Sequence, residues 1–174
     1  MSLINKEVSE FSVQAFQDNA FKTVTKADIL GKWSVFFFYP ADFTFVCPTE
    51  LEDLAEKYED FKSIGCEIYS VSCDSHFVHK AWHDASKTIQ KIKYPMLADP
   101  TGALPALRRD DRIGRHGRAG QFHRQPEGRI VAYEVIAGTW AATRTNCSAG
   151  CRLPVVARTT IRCALPSGVP ARKP

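Results

Sequence analysis

The chain has 174 residues, 44% of them hydrophobic and 24% charged, with a formal net charge of +4. That length accommodates a full hydrophobic core in one domain, and the balance excludes an intrinsically disordered chain or a small disulfide-stapled scaffold. No apolar run reaches the roughly 18 residues of a spanning helix, and the opening Met-Ser-Leu-Ile-Asn-Lys-Glu-Val-Ser-Glu is too acidic for a signal peptide. A cytoplasmic protein with no membrane segment is the expectation.

In chain order, Phe11 to Phe16 and Phe21 to Val24 flank the polar Gln17-Asp18-Asn19-Ala20, the pattern of a hairpin. Trp33 to Tyr39 is aromatic and β-branched, carries no charge and stops at Pro40, which predicts a buried central strand. Leu51, Leu54, Ala55, Tyr58 and Phe61 then recur at helical spacing. Pro48 suits the first turn, and Thr49, Glu50, Glu52 and Asp53 suit the positive end of that helix. Glu67 to Ser72 predicts a strand, His76 to Ile92 a helix with Phe77, Ala81 and Trp82 on one side, Tyr94 to Ala98 a strand, and Asp99 to Gly102 a turn. This alternation predicts an α/β sheet.

Cys47 falls just past the central strand, at or near the N-terminus of the following helix. Helix N-termini favour thiolate and lower a cysteine pKa from about 8.5 to roughly 3.5 to 7.5. The competing reading is an inert small hydrophobe packed against Phe43 and Phe45. Cys66 and Cys73 are assigned to the next strand and its end. Cys147 and Cys151 lack a second pair for a zinc site, and His76, His79 and His83 have no carboxylate or cysteine placed to complete one. The three histidines are therefore expected to be solvated or capping near a helix start, with no metal bound.

Pro40, Thr44 and Cys47, spaced Pro-x-x-x-Thr-x-x-Cys, resemble the active-site loop of the peroxiredoxins. The longer run Phe-Phe-Tyr-Pro-Ala-Asp-Phe-Thr-Phe-Val-Cys-Pro-Thr-Glu, with Val71-Ser72-Cys73-Asp74-Ser75-His76-Phe77 and His79-Lys80-Ala81-Trp82-His83, resembles two-cysteine peroxiredoxins of the bacterial alkyl hydroperoxide reductase C type. The likeness spans about Ser2 to Leu104. It implies a thioredoxin-like fold and a Cys47 that attacks the O–O bond of hydrogen peroxide or an organic hydroperoxide and becomes a sulfenic acid. It also implies that Thr44 hydrogen-bonds peroxide and thiolate, and that the Pro40 ring shields the sulfur. No metal or organic cofactor is implied. The implied partners are a second copy, as a homodimer or ring of dimers, whose resolving cysteine captures the sulfenate, and a flavoprotein or thioredoxin-like reductase.

Beyond Leu104 the composition changes. Residues 1–103 hold ten Lys and no Arg, and residues 104–174 hold one Lys and twelve Arg, so the net charges of the two parts are −5 and +9. A basic tail invites a nucleic-acid reading. However, Arg108, Arg109, Arg112, Arg115, Arg118 and Arg124 are interleaved with Pro, Gly, Asp and His, with neither a helical stripe nor an aromatic stacking platform. No nucleic-acid partner is expected, and few segments of the tail offer an apolar face to bury.

The genetic code accounts for the change better. Arg115-His116-Gly117-Arg118 can be coded so that reading one base later yields Gly-Met-Ala and an acidic residue. His123-Arg124-Gln125-Pro126 likewise yields Ile-Val-Asn-Pro, after which Glu127 to Gly138 resembles the family directly. Ile161 to Gly168, read one base earlier, yields Gln-Val-Cys-Pro-Ala-Lys-Trp, the family's resolving-cysteine motif. We read residues 104–125 and 139–174 as frame-shifted. The expected organisation is a peroxiredoxin domain over 1–138, divergent at 104–125, followed by a divergent basic tail over 139–174 in place of the resolving-cysteine segment. The arginine expected beside the sulfur then aligns with Ala119. Arg118 is the candidate displaced arginine and Cys163 the candidate resolving cysteine, ahead of Cys147 and Cys151. The expected activity is a thiol peroxidase. The rival is a catalytically impaired or noncatalytic thioredoxin-fold binding or chaperone-like protein. Sequencing the coding DNA is expected to reveal the frame changes; a confirmed unbroken frame for these residues would overturn them.

Overall fold

The uncharged run Trp33–Phe38 (β3) lies inside a mixed sheet of seven strands among the described residues, as a strand buried on both faces requires. The computed structural model describes residues 2–44, 47–102, 104 and 120–135. Ahead of β3 come β1 (Ser12–Gln17), β2 (Ala20–Thr25) and the one-turn helix α1 (Lys26–Ile29). After it come α2 (Cys47–Glu56), α3 (Tyr58–Ser63), β4 (Cys66–Ser72), α4 (His76–Ala85), a 3-10 turn at Ile89–Lys91, β5 (Met96–Ala98), β6 (Gly120–Arg124) and β7 (Ile130–Val135). The sheet order is β2-β1-β5-β4-β3-β6-β7. β3, β4 and β5 run parallel, and the remaining pairings are antiparallel.

The period-two alternation of β3 divides the core. Val35, Phe37 and Tyr39 face a cluster with Leu51 and Leu54 of α2, Tyr58 and Phe61 of α3, and Trp82 of α4. Phe36 and Phe38 face the other cluster, with Val13, Ile29, Tyr69, Val71 and Phe122. There the Phe36 and Tyr69 rings stack at 4.9 Å. Consequently the chain leaves β3 directly onto the helical face, where α2 begins.

Most predicted elements are present with adjusted ends. The hairpin turns through Asp18 and Asn19 at φ 50° and 59°, the left-handed pair that such tight connections need. The helix predicted through Phe61 divides at Lys57, yet Tyr58 and Phe61 remain buried. The helix predicted to Ile92 ends at Ala85, because Ser86 is extended (φ −117°, ψ 117°) and a 3-10 turn takes over. Phe77 does not share the buried side with Trp82. The two lie five residues apart on the helix, and Phe77 is 63% exposed where Trp82 is 3%. His79 also departs from the solvated or capping role expected of it: its side chain is fully buried, and Ser75 caps the helix by accepting from the Val78 N–H. Cys66 is buried at the start of β4, and Cys73 sits just past its end, partly exposed. No helix among the described residues is long and apolar enough to cross a membrane.

The described end of the divergent stretch joins the sheet. Gly120–Arg124 forms β6, between β3 and β7, and its Phe122 is fully buried. Its neighbours His123 and Arg124 are 5% and 0% exposed. Arg124 Nη2 donates to the Ile29 carbonyl at 3.4 Å, whereas Nε and Nη1 find no acceptor among the described residues. These are the two positions that the proposed frame shift would convert to Ile and Val. Buried charge without full pairing destabilises, so Arg124→Val is expected to raise unfolding free energy by about 2 kcal/mol, read from urea denaturation. Burial also pushes the His123 imidazole from 6.5 down to about 4. The unfolded chain then takes up a proton that the folded chain refuses, so stability present above about pH 6.5 is lost as pH falls toward about 4, on the order of 3 kcal/mol. His123→Ile is expected to remove that part of the acid slope when wild type and variant are compared.

Candidate active site

The turn between β3 and α2 gathers the predicted residues. Pro40 follows Tyr39 at the strand exit, whose N–H is still bonded to the Val71 carbonyl at 3.1 Å. Phe43 then adopts φ 56°, left-handed backbone unusual for an aromatic residue, and its ring lies 57% exposed at 6.0 Å from that of Trp82. Cys47 opens α2 and its side chain joins the helical-side core with Tyr39, Leu51 and Leu54. Of the aromatic neighbours in the inert-hydrophobe reading, Phe43 points largely to solvent, and Phe45 lies outside the described residues. The Thr44 hydroxyl donates to the Ala41 carbonyl at 3.0 Å and is also hydrogen-bonded to the Cys47 sulfur. Since a hydroxyl has one proton, Thr44 must release the Ala41 carbonyl to donate to a Cys47 thiolate, and it is as a donor that it lowers the thiol pKa.

Electrostatics at the sulfur run against the expectation from helix position alone. The Cys47 thiol is held above its ordinary pKa. Burial is the largest cause; the Thr44 hydroxyl bond and a backbone bond at Cys47 lower it, while the charges of Glu50 and Asp42 raise it further. Desolvation of the whole sulfur outweighs the partial charge of a helix end. Glu50 is itself pushed up to about 7 by burial and by the neighbouring Asp53 charge, so it is only part-ionised near neutrality. Cys66 is pushed up to about 12 by burial and by the Glu67 charge, an inert thiol. Arg118, Ala119, Cys147, Cys151 and Cys163 lie outside the described residues.

A second constellation, not anticipated from the sequence, holds this turn from below. Asp42 accepts from the Tyr39 hydroxyl at 2.7 Å and bonds His79 Nδ1 at 2.7 Å, and its backbone N–H donates to Asp74 Oδ2 at 2.7 Å. Ser72 Oγ donates to the same Asp74 oxygen at 3.1 Å. His79 completes its bonding through Nε2 to the Leu97 carbonyl at 3.2 Å. The available signal was the phrase His79-Lys80-Ala81-Trp82, which puts a histidine one turn before a buried tryptophan-bearing face. Among the described residues, no group of three or more His, Cys, Asp or Glu side chains is disposed to hold a metal, and the thiols of Cys47, Cys66 and Cys73 are free of disulfides.

Comparison with known proteins agrees with this architecture. Residues 4–107 match the model of the AhpC/TSA family. The chain is 55% identical over 141 residues to alkyl hydroperoxide reductase C of Salmonella typhimurium, covering 79% of this chain and 74% of that one. It is 51% identical over 142 residues to the protein of the same name from Bacillus subtilis, with the same coverages. Among solved structures it superposes on Enterococcus faecalis AhpC with a TM-score of 0.79 at 44% identity, covering 94% of this chain and 93% of the other. The Mycobacterium bovis AhpC structure gives 0.77 at 26% identity, covering 95% and 99%. A thioredoxin-like sheet, a cysteine opening the helix after its central strand and these likenesses place the chain in the AhpC/TSA family.

Proposed function

We propose that the chain is a thiol-dependent peroxidase in which Cys47 reduces hydrogen peroxide and organic hydroperoxides. The observation that carries this reading is a cysteine at the first position of α2 within hydrogen-bond reach of the Thr44 hydroxyl, in a member of the AhpC/TSA family. The Cys47 thiolate donates an electron pair to one peroxide oxygen, and the O–O bond breaks. The other oxygen leaves with a proton as water or alcohol, and sulfur is oxidised to sulfenic acid. Thr44 stabilises thiolate and peroxide by turning its hydroxyl, and Pro40, at the mouth of the turn, screens the sulfur from water.

Regeneration needs a second thiol that forms a disulfide with the sulfenate and releases water, and then a reductase dithiol that reduces it. In this reading the domain spans 1–138 and the basic tail over 139–174 replaces the resolving segment. Cys163 is the candidate for the second thiol, Arg118 the candidate cation for the sulfur, and a flavoprotein or thioredoxin-like protein the reductant. Self-association as a homodimer or ring of dimers is supported by the exposed aromatic rings Phe21 and Phe77, 5.2 Å apart on the surface. A cytoplasmic location accords with the sequence. The rival, a noncatalytic thioredoxin-fold protein, predicts no dependence on Cys47.

Peroxide consumption with a recycling reductant is expected to vanish in Cys47→Ser; equal rates in variant and wild type would leave the rival standing. Thr44→Val is expected to slow the reaction of Cys47 with peroxide on the order of 100-fold. Because the thiol is held above its ordinary range, the wild-type rate is expected to climb with pH through and beyond about pH 8 without levelling at neutrality. Glu50→Gln removes a charge that opposes ionisation, so its thiolate, followed by ultraviolet absorbance, is expected to form at lower pH than in wild type.

A further inference from the structure

The hydrogen-bond inventory around His79 leaves few places for protons. The Tyr39 hydroxyl, buried and close to Asp42, is kept protonated well above its ordinary range and donates to Asp42 Oδ1 at 2.7 Å. The Leu97 carbonyl can only accept, so His79 Nε2, 3.2 Å away, carries a hydrogen. At the other ring nitrogen, Nδ1 lies 2.7 Å from Asp42 Oδ2, and both side chains have no exposure at all. A buried carboxylate needs a compensating positive charge as well as hydrogen bonds.

We propose that His79 is an imidazolium, donating at once to Asp42 and to the Leu97 carbonyl, and that this buried ion pair is the positioning element for the turn carrying Thr44 and Cys47. Asp42 lies two residues before Thr44, and through it the turn is tied to the end of β3 by Tyr39, to α4 by His79 and, beyond His79, to β5. Its N–H adds a tie to Asp74, past β4. The tie is needed because Phe43 holds a left-handed backbone that it would not keep alone. The pair also bears on charge. Asp42 is among the groups opposing ionisation of Cys47, and an imidazolium beside it offsets part of that opposition.

The other titratable groups around the pair leave the assignment intact. Asp74 is occupied by the Asp42 N–H and Ser72 Oγ, and Asp99, buried where β5 ends, donates its N–H to the Ser72 carbonyl. His83, the next histidine on α4, packs its ring against Phe16 at 5.1 Å.

The effect on Cys47 chemistry rests on the peroxidase reading, but the charge state does not. In nitrogen NMR of the full chain labelled at its five histidines, with His79 assigned by the resonances lost in His79→Gln, both ring nitrogens of His79 are expected at protonated frequencies at neutral pH. An unprotonated ring nitrogen of His79 at neutral pH would overturn the proposal, and this measurement needs only the wild-type fold. In His79→Gln, which keeps a donor but not the charge, the Cys47 thiolate is expected to form at higher pH than in wild type, leaving less thiolate at neutral pH. The double variant Asp42→Asn with His79→Gln is expected to bring that titration back. An unchanged Cys47 titration in His79→Gln would remove the positioning role. Failure of the peroxidase reading would appear separately, as peroxide consumption independent of Cys47.

Discussion

β3 is buried on both faces, and at its C-terminal end the eight residues between Phe38 and Cys47 must lead the chain onto the helical face without exposing the core. The buried carboxylate of Asp42 closes that turn. It draws Tyr39, His79 and, through its own N–H, Asp74 into one set of hydrogen bonds. Everything functional lies within a few residues of it: Pro40 on one side, Thr44 and Cys47 on the other. A polar group that is fully paired in a low-dielectric interior has few alternative arrangements, which makes it a better anchor for a turn than apolar packing alone.

The reactive sulfur is set between opposing influences. Its place in the helical-side core excludes water and raises the thiol pKa, while the Thr44 hydroxyl and the start of α2 favour the anion. Burial prevails among the described residues. A site of this kind needs added positive charge to hold a thiolate at neutral pH. The family resemblance implies an arginine for that charge, and its expected position, Ala119, falls in the stretch we propose to be frame-shifted.

β6 shows the same link in the core. The sheet needs a strand beside β3, and Gly120–Arg124 occupies that place although two of its five residues are basic. Phe122 fits the cluster around Phe38, to which its ring turns edge-on at 5.5 Å. Arg124, on the same face as Phe122, buries a guanidinium with two nitrogens lacking acceptors among the described residues, and His123 is kept neutral by desolvation. Position in the sheet has overridden composition, at a cost in stability concentrated on those two side chains.

Much of this was legible in the chain. The period-two pattern of β3, the helical spacing after Cys47 and the polar hairpin turn depend on neighbours in sequence, so they could be read directly, as could Pro40, Thr44 and Cys47. Element ends were less legible, because Lys57 and Ser86 break helices through backbone angles that carry no marked residue signal. By itself, then, the sequence determined an α/β chain with a cysteine at or near the start of the helix after its central strand, since local periodicity carries that information, and the family resemblance narrowed it to a thioredoxin-like fold. Only the tertiary structure decided that His79 is buried against Asp42, that β6 runs beside β3 and that the Cys47 thiol is raised, because burial and cross-chain pairing arise from residues brought together from distant positions.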